Sequence, residues 1–596
     1  MRATSVYATR VRGPRARNVP LDSDDSCLSD SGDSDEEYTP GPGDEPSGSS
    51  SDEDADVPPY APPSAAGARR EAATTQRNRQ KVAWETVKQE NSAKEVPVWQ
   101  DALPDAEAIR LPIQYFRDFF DGELLDKIVE QSNLYCTQQH PNRALNLDRP
   151  ELEQFLGTVV YMSIFLLPWS RMYWSSTSRV QQVAEVMSRD RWEEIKHFIH
   201  FCDNSAPNND DRLFKIRLVI DSLLPKFQAL PQHQMLCVEK QMVPFKGRSA
   251  LRQYSPQKPY KWGYKLFVLC DTTGLVHSFE IFTGEIGPAP GQPDIGASGN
   301  IVLKLAQVIP QNVNHLLYFD HWFSSLDLFV ALANKGIPAL GTIQQNRLRG
   351  CTFSADSEMK NKDRGAFEEQ QAVVDDVGIR VVKWFDNRGV IVASTFASAQ
   401  PVSIIERWER KLKRNVSVEC PSIISLYNKF MGGVDALDAL IAYHRIHIRS
   451  KKYYHRLFFH FVDMAIVNSW LLYRRDCESL GVPRRKRKDL LAFRASVAQI
   501  KKRRGPAKAI PPQEVRSDAV GHWPVVENGR QRCKLPNCKG QTVYKCAKCN
   551  VHLCLNKNDE SNTCIITIKV YCTCSKQMFC HVFAINKICF EQNPLT

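Results

Sequence analysis

A short apolar run that ends at a single carboxylate is the feature that most constrains this chain. Leu316 to Phe319 form a β-rich block, and Asp320 follows immediately. Such a block is typical of a buried central strand, and open α/β sheets bind ligands just beyond strand ends. The pattern predicts a carboxylate at a rigid sheet edge, although an aspartate in this position can also simply begin a turn.

The surrounding sequence predicts a mixed α/β fold, because a helical region precedes a strand meander that gives way to alternating strands and helices. Asp121 is the predicted N-cap of the helix at 123–135. Further helices are predicted at or near 150, 188–201, 300–308, 326–334 and 457–473, and strands at 235–239, 264–270, 276–282, 316–319, 381–386 and 390–395.

Composition excludes two classes of protein. The 596 residues are 42% hydrophobic, which is enough for at least one sizeable core. The longest apolar window, Phe155 to Pro168, is shorter than the roughly 20 residues that a membrane span needs. We therefore expect neither a wholly disordered chain nor a membrane protein, and the first residues predict no secretory leader.

Charge is distributed unevenly. The formal net charge is +11, yet residues 21–60 hold 14 Asp and Glu and no Lys or Arg. The basic remainder favours nucleic acid as a partner, with a solvated basic face as the alternative. The acidic segment predicts disorder. Basic runs at 484–488 and 501–504 suit nuclear import, or serve as solvated spacers.

Cysteines cluster at the end of the chain, where ten of the 18 lie at or after Cys533. Paired cysteines separated by a short loop are typical of zinc sites and favour metal binding over disulfides. The predicted zinc ligands are Cys533, Cys538, Cys546, Cys549, His552 and Cys554.

Three carboxylate positions suggest a second kind of metal site. Glu239 and Asp320 lie at predicted strand ends, and Asp435 and Asp438 follow a Gly-Gly break. Carboxylates that meet at one sheet edge suit two Mg²⁺ ions, which could activate phosphodiester cleavage. Periodicity alone does not show that they meet.

Four long stretches in order resemble the piggyBac transposase family, and the helical segment 187–195 resembles it as well. The likeness covers roughly residues 105–475 and the cysteine cluster. The four stretches are Val238–Arg248, Tyr254–Lys265, Asp320–Ser325 and Tyr427–Asp438.

The resemblance implies cut-and-paste transposition by a homodimer acting on double-stranded DNA, with transposon terminal repeats as ends and a TTAA-like target. The family's metal-binding aspartates fall on Glu239, Asp320 and Asp435, which would hold Mg²⁺ or Mn²⁺, and Asp438 matches a further acidic residue. The implied fold is an RNase H-like core with a β-rich insertion, a split helical dimerisation and DNA-binding domain, and a C-terminal cysteine-rich zinc domain.

The predicted domain boundaries follow this scheme. They are 1–95 for the disordered acidic region, 96–234 and 446–500 for the helical domain, 235–346 and 422–445 for the core, 347–421 for the insertion, 501–530 for a basic linker, 531–575 for the zinc domain and 576–596 for a tail.

Basic and aromatic residues interleave at two places in the sequence. Such residues contact phosphates and stack on bases, although a solvated basic rim, or core packing for the tryptophan, explains the pattern equally. The predicted DNA-binding residues are Lys246, Arg248, Arg252, Lys258, Lys261, Trp322, Arg449, Lys451 and Lys452.

One motif departs from the family pattern. Where the family has Val-Asp-Glu-Gln, this chain has Val238-Glu-Lys-Gln241. The first ligand is lengthened by one methylene, and Lys240 brings a positive charge beside a cation site. Two hypotheses stay open: an active transposase, and a transposon-derived DNA-binding protein whose cleavage is lost or weakened at Glu239.

Overall fold

The computed structural model describes residues 81–87, 95–206, 210–247, 249–256, 258–409, 412–499, 524–533, 540–546 and 552. They divide into two compact units. The larger contains the described residues of Met1–Met172 and Asp190–Gln499, and the smaller those of Tyr173–Arg189 and Ile500–Thr596. The predicted acidic segment, the run at 501–504 and the tail from 576 lie outside the described residues.

Ten of the described strands form one mixed sheet in the larger unit, with the order β1-β8-β9-β10-β7-β6-β2-β4-β3 and β5 paired to β4. Strands β2, β6 and β7 run parallel to one another, and the other pairs are antiparallel. The strands are β1 (Glu85–Thr86), β2 (Met235–Pro244), β3 (Gln253–Tyr254), β4 (Trp262–Asp271), β5 (Val276–Ile281), β6 (Leu316–Phe319), β7 (Ala339–Thr342), β8 (Phe367–Val374), β9 (Val377–Phe385) and β10 (Gly389–Ser394).

Apart from β1, the strands of the sheet are preceded by helices in the chain, and further helices cover and follow the sheet. In the larger unit they are α1 (Pro112–Arg117), α2 (Gly122–Gln139), α3 (Arg149–Ile164), α5 (Arg189–Phe198), whose first residue belongs to the smaller unit, α6 (Arg217–Gln228), α7 (Ala297–Leu305), α8 (Leu326–Ala333), α9 (Asp356–Asn361), α10 (Ser422–Phe430), α11 (Gly433–Tyr443), α12 (Tyr453–Ser479) and α13 (Leu490–Ala498). The predicted N-cap is confirmed, since Asp121 accepts a hydrogen bond from the Leu124 amide. None of the described helices combines the length and apolar composition that crossing a bilayer requires.

The two faces of the sheet are covered differently. On one face, Leu236 and Val238 of β2 pack in a core with α7 and α8, including Leu303 and Phe329. On the other face, α11 lies directly on β2 and β4. Because side chains alternate along a strand, neighbouring residues of β2 face different layers.

The segment predicted as an insertion is partly continuous with the main sheet. Strand β10 pairs with β7, with Val392 opposite Thr342, and β8 and β9 extend the sheet outwards. Strands β11 (Ser403–Glu409) and β12 (Arg414–Cys420) instead form a separate two-stranded ribbon. The strands predicted at 381–386 and 390–395 are confirmed as β9 and β10, but local periodicity does not reveal which strand they pair with.

The smaller unit contains a short helix and a hairpin. These are α4 (Gln181–Ala184) and the antiparallel strands β13 (Pro524–Arg532) and β14 (Gln541–Cys546).

Candidate functional site

Glu239 lies in the middle of β2, on the face that α11 covers. Val238 pairs with Phe319, the last residue of the parallel strand β6, so Glu239 stands beside the point where that strand ends. Its side chain is 16% exposed. The two-residue alternation of β2 places Gln241 on the same face and Lys240 on the opposite one.

Asp320 follows β6 directly, as predicted. Its Oδ1 accepts a hydrogen bond from the Trp322 amide at 2.9 Å, and its backbone oxygen accepts one from Ser324. Asp320 therefore begins a turn and also presents a carboxylate at the sheet edge. The two interpretations of this residue are compatible.

Gly433 allows α11 to bring Asp435 and Asp438 to the sheet. A Cβ at this position would lie 2.2 Å from the Asp271 backbone oxygen, so no other residue permits this approach without displacement. Asp435 lies in the first turn of α11 with its side chain 70% exposed. Asp438 lies one turn later, where burial raises its pKa, opposed by the charge of Lys258.

Lys258 joins two of the predicted metal ligands. Its Nζ donates to Glu239 Oε1 at 2.7 Å and lies 3.6 Å from Asp435 Oδ1. Burial raises the pKa of Glu239 to about 7 despite the attraction of Lys258. Burial tends to lower the pKa of Lys258, but the charges of Glu239 and Asp435 outweigh it and raise that pKa. Lys258 thus acts as an internal counter-ion.

Lys240 supplies a second counter-ion on the other face of the sheet. Its Nζ lies 3.8 Å from Asp320 Oδ2 and 4.4 Å from the centre of the Trp322 ring. The Trp322 ring also stacks on Phe267 and meets Phe323 edge-on. These contacts favour core packing over base stacking for Trp322.

The carboxylate cluster, which consists of Glu239, Asp320, Asp435 and Asp438, does not fit a two-metal centre in this arrangement. Mg²⁺ takes oxygen ligands and keeps water in its shell, whereas ammonium groups approach Glu239, Asp320 and Asp435 here. Within the described ranges, no three His, Cys, Asp or Glu side chains lie close enough together to hold a metal ion. No metal-dependent step follows from this arrangement.

Gln241 is a site residue that the sequence analysis missed. Its Nε2 donates to Asp438 Oδ1 at 2.8 Å, and its Oε1 lies 2.9 Å from His460 Nε2 on α12. Burial holds the pKa of His460 well below its usual value, so the neutral ring donates to Gln241. This chain of hydrogen bonds orients Asp438. The signal available in the sequence was the two-residue spacing between Glu239 and Gln241.

The predicted DNA-binding residues divide into three groups. Lys246, Lys261, Arg449 and Lys451 are exposed, and Arg252 stacks over Trp262 at 4.4 Å. Lys452 instead donates to the His197 backbone oxygen, and Lys258 and Trp322 belong to the carboxylate cluster. Arg248 lies outside the described residues.

Three of the six predicted zinc ligands belong to the described part of the smaller unit. Cys533 and Cys546, at the ends of β13 and β14, are buried, as is His552. The Nε2 atom of His552 lies 2.7 Å from a carboxylate oxygen of Glu527. Thiols and an imidazole are donors that zinc takes, but Cys533 follows Arg532, which pairs with Gln541, whereas Cys546 pairs with Pro524. The two thiols therefore lie at opposite ends of the hairpin, and the described residues alone do not form a zinc site. Cys538, Cys549 and Cys554 lie outside the described residues.

Comparison with known proteins identifies the family. The family model described as Transposase IS4 matches residues 111–470. The human PiggyBac transposable element-derived protein 2 is 30% identical over 437 residues, which cover 71% of this chain and 72% of that protein. This chain belongs to the piggyBac transposase family. The human PiggyBac transposable element-derived protein 3 is 29% identical over 469 residues, covering 76% and 77%.

A solved structure of the family supports the fold. The piggyBac transposase in a synaptic complex with hairpin DNA, determined by cryo-EM, aligns with a TM-score of 0.56 at 20% identity. The alignment covers 66% of this chain and 80% of that one. The mixed α/β fold is therefore that of a piggyBac transposase.

Proposed function

We propose that this chain is a piggyBac-derived DNA-binding protein whose carboxylate centre does not cleave DNA. The position of Lys258 between Glu239 and Asp435 carries the proposal. Two-metal hydrolysis needs those oxygens for cations. A lysine held 2.7 Å from Glu239 Oε1 occupies that oxygen and neutralises the charge that would attract a metal.

DNA binding is supported by the surface of the larger unit. Lys246, Lys261, Arg449 and Lys451 are exposed, and Trp262 is 47% exposed beside Arg252. Exposed basic residues contact phosphates without reading sequence, and exposed aromatic rings stack on bases. The structural relative was solved with hairpin DNA.

The finer architecture belongs to the same proposal. The strand order β5-β4-β2-β6-β7, an antiparallel meander joined to two parallel strands, supports an RNase H-like core. Cys533, Cys546 and His552, together with Cys538, Cys549 and Cys554, would hold zinc. We also propose that the helices form a split dimerisation and DNA-binding domain. The protein would be a nuclear homodimer, with transposon-end DNA as its ligand.

Cut-and-paste transposition is the second candidate. It is favoured by the placement of Glu239, Asp320 and Asp435, which come from three separate elements, with Lys258 beside Glu239 and Asp435 and Lys240 beside Asp320. For this function Lys258 would have to leave Glu239 when DNA and metal bind.

A plasmid-nicking assay with Mg²⁺ or Mn²⁺ separates the two candidates. We expect the unaltered chain to bind duplex DNA without nicking it. The double variant Glu239→Asp, Lys240→Glu should nick, and adding Asp320→Ala should abolish that activity. Nicking by the unaltered chain that disappears in Asp320→Ala would instead establish the transposase.

DNA binding is measured separately, by fluorescence anisotropy with random-sequence duplexes over a salt series. Absence of salt-dependent binding would reject the DNA-binding proposal, whatever the nicking assay shows.

A further inference from the structure

The ribbon β11–β12 is an exposed element of the larger unit with no role in the proposed site. Its strands pair with each other along seven residues, from Ser403 opposite Cys420 to Glu409 opposite Arg414. Strand β12 leads through α10 towards α11, which carries Asp435. The ribbon is therefore connected to the candidate site by a single short helix.

One face of the ribbon is anchored to the protein body. Arg364 binds Glu409 at 3.0 Å, and the Trp384 indole donates to the Glu419 backbone oxygen at 2.8 Å. Arg407 lies 3.6 Å from Asp386. These contacts hold the ribbon in place, so its outer face and tip are presented on a supported scaffold.

The outer face changes character along its length. Near the base it combines Ile404, which is 73% exposed, with the exposed carboxylates of Glu406 and Glu419. At the tip, Trp408 is 60% exposed and Leu412 is 56% exposed.

The tip is also strongly basic. Lys413 and Arg414, which follow Leu412 in the chain, are exposed, and Arg414 lies opposite Glu409 in the register of the ribbon. Exposed apolar side chains and exposed cations therefore occur together at this end of the ribbon.

We propose that this tip inserts into a groove of duplex DNA, with Trp408 and Leu412 contacting bases and Lys413 and Arg414 contacting phosphates. Two-stranded ribbons fit DNA grooves, and proteins that kink DNA insert apolar side chains between base steps while cations bind the backbone. Charge complementarity selects DNA over an apolar protein partner. The inference rests on the proposed DNA-binding function and adds a contact site to it.

The experiment measures duplex affinity and its salt dependence with the full chain. Trp408→Ala combined with Leu412→Ala should weaken binding roughly tenfold, because stacking and wedge contacts are lost, with little change in the slope of log affinity against log salt. Lys413→Ala combined with Arg414→Ala should reduce that slope by about 2.

Ile404→Ala is the matched control, because it removes a similarly exposed apolar side chain from the same face at the acidic end. It should bind like the unaltered chain, and all variants should keep their melting temperature because the side chains are exposed. Unaltered affinity and slope in both tip variants would overturn the inference while leaving the proposed function intact. A chain that binds no duplex at all would overturn the proposed function as well.

Discussion

Replacing Glu239 with glutamine tests whether Glu239 is a buried carboxylate that is paired with Lys258 and holds no metal ion. The pKa of Glu239 is raised from 4.5 to about 7 by burial, even with Lys258 bound to it. Between those pH values the folded chain keeps a proton that the unfolded chain has released. The contribution of Glu239 to stability is therefore present at low pH and lost as the pH rises through 7.

The magnitude follows from the size of the shift. The difference between the two pKa values reduces the free energy of unfolding by about 2 to 3 kcal/mol as the pH rises from 5 to 8. Glutamine resembles the protonated acid and cannot ionise. The Glu239→Gln variant should therefore match the unaltered chain near pH 5 and be about 2 to 3 kcal/mol more stable at pH 8.

Urea unfolding at several pH values measures this difference. The series is run without and with roughly 10 mM Mg²⁺, because an ion that binds only the folded chain would stabilise it. Glu107→Gln, at an exposed glutamate, is the control for the chemical change itself. A glutamine variant that is less stable at pH 8 would refute the reasoning. So would a clear stabilisation of the unaltered chain by Mg²⁺, because it would show that the carboxylates accept a metal in spite of Lys258.

Three further substitutions probe other parts of the larger unit. Arg494→Met should cost about 3–5 kcal/mol in urea unfolding, because it leaves the fully buried Asp463 without its ion-pair partner. Gly433→Ala should cost about 1–3 kcal/mol by forcing α11 away from β4, whereas Gly432→Ala, in open space, should be nearly neutral. Lys240→Glu should lower the melting temperature, because it places a second carboxylate beside Asp320, and Mn²⁺ should restore the melting temperature by binding between the two. If Mn²⁺ has no effect, a metal ion does not replace the lost ammonium group.

The sequence predicted the elements of the sheet better than their assembly. The strand Leu316–Phe319 and the position of Asp320 after it are confirmed to the residue, because a four-residue apolar block bounded by polar residues leaves little freedom. The join between β10 and β7 was not predictable, since Val392 and Thr342 are distant in the chain. Strand pairing depends on tertiary contacts that a local pattern does not contain.

The lysines of the site show a second limit. A lysine in a basic motif is equally compatible with phosphate contact and with an internal ion pair, because its long side chain reaches either. Lys258 lies 19 positions from Glu239, so their contact depends on how the chain returns to β2. By contrast, the exposed Lys246 and Lys261 keep the surface position that the pattern suggested.

The two departures from the family motif act on different parts of the site because they are neighbours in a strand. Glu239 faces α11, where its oxygen reaches Lys258, while Lys240 faces the opposite layer and neutralises Asp320 at the strand edge. Reverting one residue therefore leaves the other counter-ion in place. Glu239→Asp shortens the side chain that faces Lys258 but leaves the positive charge of Lys240 beside Asp320. Lys240→Glu removes that charge but leaves Glu239 paired with Lys258. If both carboxylates must be free for cleavage, only the double reversion can restore it. If one is enough, the single variant that cleaves identifies the ammonium group that is the stronger obstacle.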